Sequence, residues 1–136
     1  MRTHVSRTVS SCFAVLRQLH SIHRSVPPAV LQSLVVSLVL SRLDYGNATL
    51  AGLYGKQLDR LQRVINAAAR LVCSARKYEH IMPLLCDLHW LPVRERIEFK
   101  LGVLVFHCLH GSAPQYLVNE LCRVADIDAR GHCTVC

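Results

Sequence analysis

Leu58-Asp59-Arg60-Leu61-Gln62-Arg63-Val64-Ile65-Asn66-Ala67-Ala68-Ala69-Arg70-Leu71-Val72 decides the fold of this chain. Leu58, Leu61, Ile65, Ala68 and Val72 recur every three or four residues, the spacing of one helix face. Lys56, Arg60, Arg63 and Arg70 step by four, three and seven along the opposite face. The spacing predicts an amphipathic helix over residues 55–75, with a basic stripe that Arg76 and Lys77 extend past its end.

The same period continues in both directions. Val5, Val9, Cys12, Phe13, Leu16, Leu19 and His23 predict a helix over residues 4–24, with Arg7, Arg17 and Arg24 off its apolar stripe. Pro27-Pro28 restarts the chain, because proline is accepted in a first helical turn. Residues 28–44 are apolar nearly all round, which predicts the most buried helix. Downstream, short helices are expected near 80–88 and from 112 or 113 to 123. Between them Pro92 opens a helix over 92–110 with Val93, Ile97, Leu101, Leu104 and Cys108 inward, and Gly111 is its stop. The fold class expected is all-α, an irregular bundle of five or six helices over residues 4–123. Residues 124–136 lose the pattern and are expected to form a frayed tail.

Composition narrows the function. With 136 residues and an apolar fraction of 51%, the chain suits a single folded domain, not a disordered one. Sixteen Lys and Arg against nine Asp and Glu give a net charge of +7, a balance that favours phosphates or acidic surfaces as partners. Seven cysteines at irregular spacing form no disulfide framework. Cys73, Cys86, Cys108 and Cys122 fall in apolar helical patterns, so they read as reduced, buried thiols in an intracellular, cytoplasmic or nuclear, protein. The apolar run at 34–40 is too short to span a membrane and is interrupted by serine. Five Arg, eight Ser and no acid in the first forty-three residues resemble a transit peptide, but the helical pattern runs straight through them.

Enzyme chemistry finds little footing. The chain has no glycine-rich phosphate loop, no nucleophile elbow and no His-Glu-x-x-His pair. Asp126 and Asp128, the one closely spaced acid pair, lie in the expected tail. Cys86 and His89 are three apart, without a third group to orient them. His132-Cys133-Thr134-Val135-Cys136 resembles half a zinc site, which His107, Cys108 and His110 would have to complete. No catalytic residue, metal or cofactor is assigned. The basic stripe is the strongest feature, because solvated helix faces normally mix both signs. Lys56, Arg60, Arg63, Arg70, Arg76 and Lys77 have only Asp59 and Glu79 among them. They are the candidate nucleic-acid-binding residues. Only Tyr54 and Tyr78 flank them, so contact would follow backbone more than base.

Three blocks also carry a resemblance. Ser41-Arg42-Leu43-Asp44-Tyr45-Gly46-Asn47 with Ala51-Gly52-Leu53 is the first. Leu58-Asp59-Arg60-Leu61-Gln62 with Asn66-Ala67-Ala68-Ala69-Arg70-Leu71 is the second. The third runs from His80-Ile81 through Leu88-His89-Trp90-Leu91-Pro92-Val93-Arg94 to Phe99-Lys100, Leu109-His110-Gly111, Ala113-Pro114 and Tyr116-Leu117. In order and spacing, from about residue 4 to 128, the chain resembles the region after the palm in LINE-type (non-LTR) retrotransposon reverse transcriptases. Gly46 stands where that family usually has Cys, and residues 131–136 have no counterpart in it. The resemblance implies a thumb and connection region, which in such polymerases grips the template–primer duplex. It also implies a non-catalytic fragment, since the metal-holding aspartates belong to the palm of an RNA-directed DNA polymerase. The alternative is a helical protein–protein interaction module that associates, with itself or a partner, through an exposed apolar face.

Overall fold

The computed structural model of the chain describes residues 2–45, 52 and 55–121. Every regular element among them is helical, as expected. The elements are α1 (Arg2–Ile22), α2 (Pro28–Val35), α3 (Ser41–Asp44), α4 (Gly55–Val72), α5 (Ile81–Asp87), α6 (Val93–Leu109) and α7 (Gln115–Glu120). A π-helical turn, Val36–Leu40, joins α2 to α3 without a break. The frayed tail expected at 124–136 lies outside the described residues.

The π turn has a local cause. Ser33, Ser37 and Ser41 each donate a side-chain hydrogen bond to the carbonyl four residues back, on Ala29, Ser33 and Ser37. Hydroxyls that bond back in this way compete with the helical ladder and bend it. Serines at 33, 37 and 41 therefore predict an irregular helix where hydropathy alone predicts a regular one. The same stretch corrects the expectation of deepest burial. Leu31, Val35, Val39, Leu40 and Leu43 are buried, but Val30 is 48% exposed and Val36 41%. Packing on α1 and α4 covers one side of this helix and leaves apolar residues on the other in water.

Packing divides the chain into two compact units, Met1–Ile97 and Glu98–Cys136. The first is built on three helices. The Arg42 guanidinium bonds the Ser11 hydroxyl, and Tyr45 lines a cavity with His4, so α2–α3 runs antiparallel to α1. Arg60 Nη1 donates to Ser6 Oγ at 3.0 Å, and Arg70 shares a pocket with His20 and His23. Helix α4 therefore runs parallel to α1, up-down-up. Val5, Cys12, Leu16 and Leu19 of α1 and Leu61, Val64, Ile65, Ala68 and Leu71 of α4 are buried where the two helices pack together. Ala68 and Ala69 are fully buried among them. Burial at this level makes Ile65→Ala worth about 2–5 kcal/mol.

Two helices stop without glycine. Ala75 N–H bonds the Arg70 carbonyl and Ser74 N–H the Leu71 carbonyl, with Ser74 at φ +51°. Trp90 N–H bonds the Leu85 carbonyl and His89 N–H the Cys86 carbonyl, with His89 at φ +55°. Both are Schellman stops whose left-handed residue is usually glycine. Leu85 and Trp90, the apolar pair that such a stop brings together, are both buried. Gly111, at φ +70°, ends α6 in the same manner, with Ser112 N–H on the His107 carbonyl. Within the second unit Cys108 is buried and Leu101 and Leu104 half-buried, while Phe99, Phe106 and Leu109 are exposed.

Candidate nucleic-acid interface

Helix α4 separates its two faces as its spacing predicts. Lys56, Arg60 and Arg63 are exposed, opposite buried Leu61, Ile65 and Ala68. Arg76 and Lys77 are exposed in the turn beyond it. Among the described residues, the one ion pair joins Arg96 to Asp44, at 3.3 Å, so none of the six candidate cations is neutralised. Asp59 precedes Arg63 by one helical turn without closing on it. The Glu79 carboxylate instead accepts from the Arg76 backbone N–H at 3.1 Å.

Arg70 differs from the other five candidate cations, however. Arg70 is half-buried and belongs to the far end of the bundle, ten residues or about 15 Å along α4 from Arg60. The reason is the parallel packing of α1, which covers that side of α4 toward its C-terminus. At the other end the basic surface extends beyond α4. Arg60 and Arg42 flank α1 from either side, each hydrogen-bonded to one of its serines, Ser6 and Ser11. Exposed Arg7 lies between those serines in the sequence, and α1 carries no acidic residue. His4, Arg7, Thr8, Ser11, Arg42 and Tyr45 line an open cavity of about 430 Å³ there. Arg7 and Arg42 were not among the residues expected from sequence. The available signal was the acid-free first forty-three residues, which a one-helix reading of the charge passes over.

The chemical alternatives fare differently. Cys86 is exposed, contrary to the buried thiol expected, because α5 turns the adjacent Leu85 into the core. His89 contributes its backbone to a helix stop. Phe106 and His110 stack with centroids 4.0 Å apart on the exposed side of α6, and Cys108 is buried. Among the described residues no group of three or more His, Cys, Asp or Glu side chains comes together to hold a metal. Asp126, Asp128, His132, Cys133 and Cys136 lie outside them, as do Tyr54 and Cys122. Burial pushes the Cys12 thiol above its ordinary pKa, against a smaller opposing pull from Arg42. Cys73 is raised as well, by burial first and then by the charges of Asp87 and Glu79. No helix among the described residues is long and apolar enough to cross a membrane. Comparison with protein-family models, with curated proteins and with solved structures gives no match.

Proposed function

We propose that the chain is a non-catalytic helical module that grips a nucleic-acid duplex through its phosphates, as a fragment of a LINE-type reverse transcriptase would. The observation that carries this reading is the arrangement of Arg60 and Arg42 on either side of acid-free α1, tied to Ser6 and Ser11. With Arg7, Lys56 and Arg63 they make a mainly basic surface, with exposed Asp59 beside Arg63, in which serine and threonine hydroxyls fill the gaps. Arginine and hydroxyl side chains are the usual partners of phosphate oxygens, and they fix a protein on a duplex without reading bases. The resembling blocks also touch one another in the fold. Asp44 of the first pairs with Arg96 of the third, and Gln62 of the second bonds Val93 of the third.

The experiment is binding of an RNA–DNA duplex at increasing salt. Counterion release makes affinity fall with salt in proportion to the phosphates contacted. Charge reversal at Arg60 and Arg63 is expected to flatten that dependence. A second reading, an interaction module, draws support from exposed Phe99, Val103, Phe106 and Leu109 on α6. Concentration-dependent self-association without salt-sensitive duplex binding would favour it.

A further inference from the structure

We infer that α6 is a two-part helix: the half beyond Gly102 unwinds reversibly as one unit, while the half before it stays fastened. The inference is independent of the duplex-binding surface. The boundary between the two compact units falls inside this helix, after Ile97. Its two halves are held very differently.

The proximal half is tied into the first unit. Val93 and Ile97 are buried. Gln62 Oε1 accepts the Val93 backbone N–H at 2.8 Å, and Arg96 Nη1 lies 3.3 Å from the Asp44 carboxylate. Beyond Ile97 such fastenings stop. Phe99 is 59% exposed and Phe106 57%, and Val103, Val105 and Leu109 are exposed as well. Among the described residues of the second unit Cys108 alone is buried, and α7 contributes no buried side chain. A segment with so few buried apolar groups opens at little cost.

Gly102 sets the place where it opens. Glycine weakens a helix interior, because it loses more backbone freedom on folding than any other residue. Nothing in the fold requires it here. Its φ is not positive, and a Cβ at this position would meet nothing within 4 Å.

The far end, by contrast, is closed against fraying. Gly111 stops it, with Ser112 N–H on the His107 carbonyl, and His110 Nδ1 bonds the Phe106 carbonyl at 2.8 Å. The Phe106 and His110 rings stack with centroids 4.0 Å apart. These contacts join the distal half to itself. Unwinding therefore starts at Gly102 and not at the tip. So short a segment is no stable helix alone in water, so residues 103–109 unwind together once the ladder breaks. The distal half is an order–disorder element, of the kind that switching transitions use.

The test is hydrogen exchange of the full chain, read amide by amide by NMR. Residues 103–109 should share one protection factor, about tenfold or more below that of residues 97–101. End fraying would instead give protection that falls gradually toward Leu109. Gly102→Ala should raise the protection of residues 103–109 together by about fivefold and leave 97–101 unchanged. Its added methyl meets no neighbour, so a thermal melt should find that variant folded. A graded decline, equal protection on both sides of Gly102, or no response to Gly102→Ala overturns the inference. Protection of residues 103–109 that climbs with protein concentration also overturns it, because a second copy then covers that face.

Discussion

Gln62 reaches across from the middle of α4 to cap α6: its Oε1 accepts the Val93 backbone N–H at 2.8 Å. Val93 opens α6, so that N–H has no partner within its own helix. The amide's other end donates to Asn66 Oδ1 at 2.8 Å, which fixes its orientation. Gln62→Leu removes the acceptor at similar size and should cost about 1–2 kcal/mol in chemical denaturation. Gln62→Glu keeps an acceptor and adds favourable charge at a helix N-terminus, so it should cost much less. Equal losses for the two would show that the bond to Val93 contributes little.

The Arg96–Asp44 pair fastens the same first turn of α6 to the end of α3, with Arg96 Nη1 at 3.3 Å and 3.5 Å from the two carboxylate oxygens. Both side chains are partly shielded, at 16% and 29% exposure, so the pair lies between the surface and buried extremes. Asp44→Asn is expected to destabilise by about 1–3 kcal/mol, because it leaves a shielded guanidinium without its counter-charge. Thermal melts at low and high salt would check it. A loss that disappears at high salt would mark a screened surface pair instead.

Ser74 and His89 hold left-handed backbone conformations that a side chain makes costly. Ser74→Gly and His89→Gly should each stabilise by about 0.5–1 kcal/mol. Calorimetry on both variants decides this, and destabilisation by either would contradict the strain argument.

The thiols differ in reactivity for a stated reason. Cys86 is exposed, whereas Cys12 and Cys108 are buried and the Cys12 thiol is held above its ordinary pKa by burial. At pH 8 Cys12 therefore stays protonated, and peptide mapping after brief iodoacetamide treatment should find Cys86 alkylated well ahead of Cys12 and Cys108. Because the raised Cys12 pKa favours the folded thiol, its contribution is present below pH 9.0 and lost as pH rises through the folded value. Cys12→Ala should make stability less sensitive to alkaline pH.

Period and punctuation made most of the helices legible. The run from Leu58 to Val72, the Pro28 restart and the Gly111 stop all fall where the spacing places them. The π turn was hidden because hydropathy takes no account of serine back-bonding at Ser33, Ser37 and Ser41. The helix stops at Ser74 and His89 were hidden because neither is glycine. Spacing along α4 alone groups Arg70 with Arg63. The direction of α1, which only tertiary packing determines, moves it to the far pocket and brings Arg7 and Arg42 to Arg60. Long-range placement of this kind leaves no mark on local spacing.

The most direct test of duplex gripping is fluorescence anisotropy of a labelled RNA–DNA hybrid titrated across a range of KCl concentrations. Four phosphate contacts from Arg7, Arg42, Arg60 and Arg63 predict that log affinity falls with log salt at a slope of about 3–4. The Arg60→Glu/Arg63→Glu variant, still folded by its melt, should reduce that slope by about 2. No binding at about 50 mM salt, or a slope unchanged in the variant, would contradict the account.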